Sequence, residues 1–240
     1  MYHLTYHPII ESAKEVLWPT RCVGCEAHGE LLCDKCEREL AYIERADACP
    51  RCAAPHGRLV CTECYGRDGA LPFNFTGAAS AFEFLDTAAR MVAIYKDQNE
   101  RRLSAILAAF MVEAIPADWI IWADAICYVP CDKRALRRRG FDHMAHVAFE
   151  ISRLTGLPIA DFLLKSPISD QRGLGRKERQ ANLNGAFGVY VPSGHIAKDA
   201  RNILLIDDVF TTGATLNAAA GALLEAGASE VRVATVTRVY

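Results

Sequence analysis

Several things are missing from this 240-residue sequence, and each absence narrows what it can be. No apolar run is long enough to cross a bilayer. Ile9, Ile10, Ala13, Val16 and Leu17 recur at helical spacing, but that stretch is short, carries charge and stops at Pro19. There is no basic segment followed by an apolar one at the start, so no secretory leader is expected and the chain reads as cytoplasmic. Net charge is small, −2, and composition is that of an ordinary globular protein. Low-complexity tracts and solenoid repeats are lacking. The length suits one small module and one α/β domain.

Cysteine is abundant, and its placement is regular. Eight of the ten cysteines form four C-x2-C pairs: Cys22/Cys25, Cys33/Cys36, Cys49/Cys52 and Cys61/Cys64. Seven, twelve and eight residues separate successive pairs. A C-x2-C turn brings two thiolates onto one tetrahedral metal, so eight thiolates predict two structural zinc ions. A sequential partition is expected, Cys22, Cys25, Cys33 and Cys36 on one ion and Cys49, Cys52, Cys61 and Cys64 on the other. An interleaved cross-brace is the alternative. With no secretory leader, a disulfide framework is the weaker reading. Complete four-thiolate sets leave no open position for catalysis. Residues 1–64 hold seven Lys/Arg and ten Asp/Glu, a balance of −3 that the zinc–thiolate centres make more negative. Zinc modules that grip nucleic acid are usually basic. A structural role or a protein-contact surface fits better.

The most informative stretch is 203–215, Ile-Leu-Leu-Ile-Asp-Asp-Val-Phe-Thr-Thr-Gly-Ala-Thr. Ile203 to Ile206 predicts a buried parallel strand that Asp207 and Asp208 end. Thr211, Thr212, Gly213, Ala214 and Thr215 then turn into a helix starting near Leu216. Ligands of open α/β sheets bind beyond the carboxyl ends of strands, where a helix N-terminus offers N–H groups to a phosphate. No lysine follows Gly213, which excludes a P-loop of the Gly-Lys-Ser/Thr kind. Acids beside a phosphate site suit sugar hydroxyls and a magnesium ion. The pattern resembles the phosphoribosyl pyrophosphate (PRPP) motif of type I phosphoribosyltransferases. That resemblance implies that Asp207 and Asp208 hold the ribose hydroxyls and that Thr211–Thr215 hold the 5′-phosphate.

A chain boundary is expected near residues 66–76, rich in glycine and turn residues, dividing a module of residues 1–70 from an α/β domain of residues 71–240. Strands are predicted over 78–85, 125–129, 159–164, 186–191, 203–206 and 231–237, with helices over 87–97, 103–114, 141–154 and 216–226. Their alternation predicts a mostly parallel sheet. Two basic segments stand out. Lys133, Arg134, Arg137, Arg138 and Arg139 follow a strand end, where a basic loop suits a pyrophosphate. Residues 171–185 carry Arg172, Arg176, Lys177 and Arg179 and read as a mobile lid. Residues 133–179 together hold eleven Lys/Arg against five Asp/Glu. Cys127 and Cys131 read as buried or half-buried thiols. His143 and His146 do not by themselves make a metal site. Lys96 either approaches a phosphate or snorkels from a helix end.

Taken together, the cysteine pairs, Tyr95-Lys96, Val129-Pro130, Arg138-Arg139-Gly140-Phe141, Gln171, Arg179 with Asn182, Gly185-Ala186-Phe187 and the 207–215 loop resemble the ComF family. Asp142 and His143 depart from its usual Asn-Gln. The resemblance implies a double zinc ribbon before a type I phosphoribosyltransferase-like domain. It also implies PRPP bound with Mg2+ and an association with natural competence and DNA uptake. On this reading Asp207, Asp208, Arg176 and Arg179 serve catalysis. Lys133, Arg137, Arg138 and Arg139 join Thr211–Thr215 in holding phosphates. Any hood that selects an acceptor is expected from residues 65–90 and the zinc module. Two other readings stand beside it: an adaptor for single-stranded DNA, and a zinc-dependent scaffold that docks a helicase or another competence protein.

Overall fold

Four consecutive aliphatic residues, Ile203 to Ile206, are all fully buried because the strand they form is covered on both faces. The computed structural model describes residues 19–65, 73–165, 186–190 and 201–240. Its central sheet consists of β1 (Ala78–Glu83), β2 (Ala125–Tyr128), β5 (Asn202–Phe210) and β6 (Glu230–Arg238), in the order β1-β6-β5-β2. All its pairings are parallel, as the strand–helix alternation predicts. A separate antiparallel pair joins β3 (Leu163–Lys165) to β4 (Phe187–Val189).

Successive strand residues face opposite ways, so each strand feeds two cores. Ile126, Leu204, Ile206, Ala234 and Val236 pack under α3 (Asp86–Asp97), α4 (Leu103–Ala114) and α7 (His143–Thr155). Ala125, Cys127, Ile203, Leu205, Val231 and Val233 pack under α8 (Ala214–Glu225). Two short helices complete the domain, α5 (Ala117–Trp122) and α6 (Lys133–Arg139), and two shorter ones, α1 (Asp34–Arg38) and α2 (Thr62–Tyr65), belong to the cysteine module. No helix among the described residues is long and apolar enough to cross a membrane.

The cysteine module closes one edge of the sheet. Ile43 N–H donates to the Ala81 carbonyl (2.9 Å) and Glu83 N–H to the Ala41 carbonyl (2.9 Å), so a short segment of the module pairs antiparallel with β1. That pairing satisfies an edge that would otherwise be open to another chain. Tyr42 stacks edge-on to Phe82 (4.9 Å), fixing the contact from the side-chain level.

Several elements differ from the sequence expectation. The basic segment after β2 is a helix, α6, and not a loop. Asp132 caps it by accepting the Ala135 N–H (2.7 Å), and Gly140 ends it in the left-handed region (φ 76°). Arginines have good helix propensity, and that outweighs their mutual repulsion on an exposed surface. The strand predicted over 159–164 is reduced to Leu163–Lys165, with Ile159 making an isolated bridge to Ile126. Helix α5 was not foreseen, being only six residues long. The N-terminal helix and the lid over 171–185 lie outside the described residues.

Candidate functional site

β5 outruns its neighbour β2. Pairing with β2 ends at Tyr128↔Ile206, whereas pairing with β6 continues to Phe210↔Arg238. Asp207 and Asp208 therefore lie inside β5, not at its end as expected, and they project just beyond the end of β2. The helices after β2 pack on one face and α8 after β5 on the other, so the chain parts between these two strands. In open α/β sheets that is where ligands bind.

The two acids point to opposite faces, and their surroundings differ accordingly. Asp208 Oδ2 receives two partners from the α3/α7 side: Lys96 Nζ, from the last turn of α3, and His143 Nε2 (2.8 Å), from the start of α7. Tyr95 supports this arrangement by donating its hydroxyl to the His143 carbonyl (2.5 Å). Asp142 caps α7 through Met144 N–H (3.0 Å) and Ala145 N–H (3.3 Å), which sets the helix start that delivers His143. Asp207 Oδ1 accepts the Asp208 N–H (2.9 Å). Neither Asp208 Oδ1 nor Asp207 Oδ2 has a hydrogen-bond partner among the described residues.

Burial works against charge at both carboxyls. At Asp208 the His143 hydrogen bond and the Lys96 ammonium outweigh it, and the group is held well below the usual carboxylate range. At Asp207 burial, reinforced by the Asp208 charge, pushes the carboxyl up to about 8. The two carboxyls are thus pushed in opposite directions, Asp208 towards its ionised form and Asp207 towards its neutral one. The stability supplied by neutral Asp207 is full below an unfolded value of about 4 and is lost as pH rises from about 4 to about 8. Asp207→Asn has no group to ionise there. Its unfolding free energy relative to wild type is expected to grow with pH between 5 and 8, by at most about 1.4 kcal/mol per pH unit. Urea unfolding at several pH values checks this, and a difference that stays flat would contradict a neutral Asp207.

Beyond Phe210 the chain turns through Thr211 and Thr212, both exposed, into Gly213. Gly213 has φ 77°, and a Cβ there would lie 2.6 Å from the Phe210 ring and 2.8 Å from Phe73. Glycine is required on both counts. α8 begins at Ala214, two residues earlier than expected, so Thr215 sits in its first turn. Thr212 Oγ1 accepts the Ala214 N–H (3.4 Å). The loop has an aromatic floor, with Phe73 stacked on Phe75 (4.6 Å) and both edge-on to Phe210.

The basic residues are less uniform than their sequence suggests. Lys133 and Arg137 are exposed on α6. Arg138 and Arg139 both reach Asp97 (3.5 and 3.2 Å), which offsets part of their charge. Arg139 is largely buried, and its Nε has no partner among the described residues. Arg176 and Arg179 lie outside the described residues. Cys127 and Cys131 are each pushed up to about 12, chiefly by burial, and so are unreactive at neutral pH. His146 packs edge-on against Phe141 (5.2 Å) and does not join His143. Sequence reasoning singled out Lys96 and His143 but not their meeting on one carboxylate oxygen. The only signal was the unusual His143 directly after a capping aspartate.

The cysteines group sequentially, not as a cross-brace. The sulfurs of Cys22, Cys25, Cys33 and Cys36 lie within 4.8 Å of one another, as do those of Cys49, Cys52, Cys61 and Cys64. Burial would raise the Cys22 thiol, but N–H groups of Gly24 and Cys33, each 3.4 Å from its sulfur, help bring it down to about 6. Cys36 is pushed up to about 12 by burial and its three sulfur neighbours. The second set repeats the pattern, Cys49 lowered and Cys64 raised. Four thiols this close cannot all ionise alone. A divalent cation removes the conflict, and the donor set is that of structural zinc.

Comparison with known proteins fits this geometry. A double zinc ribbon family matches residues 13–65, and a phosphoribosyl transferase domain family matches residues 136–239. The chain is 24% identical to Competence protein F of Haemophilus influenzae over 225 residues, covering 89% of this chain and 94% of the relative. It is 24% identical to Competence protein ComFC of Streptococcus pneumoniae over 209 residues (86% and 87%). It is 26% identical to DNA utilization protein YhgH of Escherichia coli K12 over 206 residues (84% and 88%).

Proposed function

The chain belongs to the ComF family, a double zinc ribbon joined to a phosphoribosyl transferase domain, and on that premise we propose that it binds PRPP with Mg2+ at the end of β5. The observation that carries this reading is the juxtaposition of two adjacent carboxyls of β5, just beyond the end of β2, with the left-handed glycine turn that follows them. Asp208 accepts one ribose hydroxyl through its open Oδ1. Asp207, which burial pushes towards its neutral form, then both donates and accepts, which complements a vicinal diol. Thr211, Thr212, Gly213, Ala214 and Thr215 hold the 5′-phosphate with N–H and hydroxyl donors.

Lys133 and Arg137 of α6, Arg138 and Arg139 once released from Asp97, and Arg176 and Arg179 of the 171–185 segment hold the pyrophosphate. Magnesium bound with PRPP would neutralise part of the pyrophosphate charge. In transfer, the C1′–O bond to pyrophosphate breaks with its electron pair leaving on oxygen, and an acceptor nitrogen forms the new bond to C1′. Donors on the departing group favour that step electrostatically. The zinc centres are structural. The names of the relatives support a place in competence and DNA use.

Calorimetric titration of PRPP into zinc-loaded protein, with and without magnesium, tests the reading. Magnesium-dependent binding is expected in wild type, with Asp208→Asn weaker by at least about tenfold. Absence of binding in wild type would overturn it. The exposed Lys133, Arg134 and Arg137 of α6 support a second reading, a single-stranded DNA surface. Its binding would fall steeply with salt.

A further inference from the structure

The two cysteine sets occupy different places in the packing. Val23 and Leu40, beside the first set, belong to the core under α3, α4 and α7. The second set, with Cys49, Cys52 and Cys64 buried, is part of the core that contains Phe75, Phe210 and Leu216, the residues beneath and behind the phosphate loop. One side chain spans the gap between that second set and the loop. Arg238, at the end of β6, is 3% exposed. Its Nε donates to the Cys52 carbonyl (2.7 Å). Its Nη1 lies among the carbonyls of Phe210 (3.1 Å), Thr211 (2.6 Å) and Val239. The guanidinium lies over the Phe210 ring at 4.2 Å.

The direction of these bonds matters. No peptide bond among the described residues is cis. In a trans peptide the carbonyl and the following N–H point in opposite directions. Holding the Phe210 and Thr211 carbonyls inward therefore turns the N–H groups of Thr211 and Thr212 outward, to the loop mouth. Neither N–H has a partner among the described residues. Together with left-handed Gly213 they form a run of outward N–H groups of the kind that receives an anion. A buried guanidinium also needs acceptors on every side, because an unpaired charge in a core is costly. Here the Cys52 carbonyl is one of them, and its position depends on the turn that Cys49 and Cys52 make around their metal.

The geometry points to Arg238 as a positioning residue that ties the second zinc centre to the phosphate loop, so that metal in the Cys49, Cys52, Cys61 and Cys64 set holds the loop in its anion-binding form. The inference rests on the phosphate-binding reading of Thr211–Thr215 and adds a structural reason for fusing a zinc ribbon to this domain. It makes no use of Arg238 as a ligand: its Nε and Nη1 donors are directed at carbonyls.

Ribose 5-phosphate is the probe, titrated into full-length zinc-loaded protein, alongside hydrogen exchange of the amides bonded to the loop's carbonyls, Val239 N–H on Phe210 (2.9 Å) and Asn217 N–H on Gly213 (2.8 Å). Arg238→Met and Cys61→Ser are each expected to weaken ribose 5-phosphate by at least about tenfold and to speed exchange at Val239 and Asn217. Zinc analysis of Cys61→Ser should show one ion retained. Arg232→Met is the matched control. Arg232 is another β6 arginine stacked on aromatic rings, 4.1 Å from Trp122 and remote from the loop's hydrogen bonds. It is expected to stay within about twofold of wild type. Arg238→Met and Cys61→Ser behaving like Arg232→Met in both measurements would overturn the link. If Arg238→Met does not fold, Cys61→Ser decides alone. If wild type itself binds no ribose 5-phosphate, the phosphate reading falls. The exchange comparison then judges the link: faster loop exchange in the two variants than in Arg232→Met sustains it, and equal exchange overturns it.

Discussion

Chelation is expected to release two zinc ions per chain and to abolish cooperative unfolding of residues 19–65. The module's own apolar core is small. Its buried aliphatic side chains are chiefly Val23, Leu40 and Ile43, with several alanines. A unit of this size cannot offset its chain entropy by apolar burial alone. Metal binding at a four-thiolate site is worth roughly 10–16 kcal/mol at neutral pH, so metal and folding are one equilibrium. The damage is expected to spread, because Ile43 pairs with β1 and the second cysteine set lies in the core under α8. If about 3 kcal/mol of that free energy reaches the main domain, its midpoint falls by about 10 °C. Metal release followed with a colorimetric chelator, together with thermal melts, checks this. Release of both ions with an unchanged melt would refute it.

Asp208→Ala is expected to destabilise the folded chain by about 2–3 kcal/mol, the second largest effect. It removes the shared acceptor of Lys96 and buried His143 and leaves an ammonium facing a core. Breaking a buried ion pair costs roughly 3–5 kcal/mol, and the Lys96 side chain's 32% exposure reduces that figure. The sign with pH follows from the depressed carboxyl. Its stabilisation is present above the unfolded value of about 4 and is lost as pH falls below it. The gap between wild type and Asp208→Ala should therefore close in acid. Adding Lys96→Met to Asp208→Ala should recover part of the loss, since it removes the stranded cation. Urea unfolding of the single and double variants at pH 7 and pH 3 measures both effects. A double variant no more stable than Asp208→Ala would show that Lys96 is not the charge being compensated.

Much of this protein was legible without coordinates because its strongest signals are local. A C-x2-C turn needs only four residues to place two sulfurs, and the spacing alone suggested the sequential partition seen here. The turn after β5 is similarly local: Gly213 must be glycine for its left-handed φ and for the space that a Cβ would need. Element boundaries such as 103–114 were readable from apolar periodicity. Where reading failed, competing local preferences were near balance, as in α6, where arginine-rich sequence supports either a solvated loop or a helix and the Asp132 cap decides.

Determined by sequence alone, then, were the metal-binding cysteines, the parallel α/β class and the loop, since turn chemistry and periodicity act over a few residues. Only the tertiary structure decided which residues far apart in the chain share an atom. Lys96 and His143 meet on Asp208 because α3 and α7 pack on one face of β5, across separations of 112 and 65 residues. Arg238 reaches Cys52 across 186 residues because β6 ends beside the docked ribbon. Long-range meetings of this kind depend on which face of the sheet each helix covers, and no short stretch of sequence carries that information.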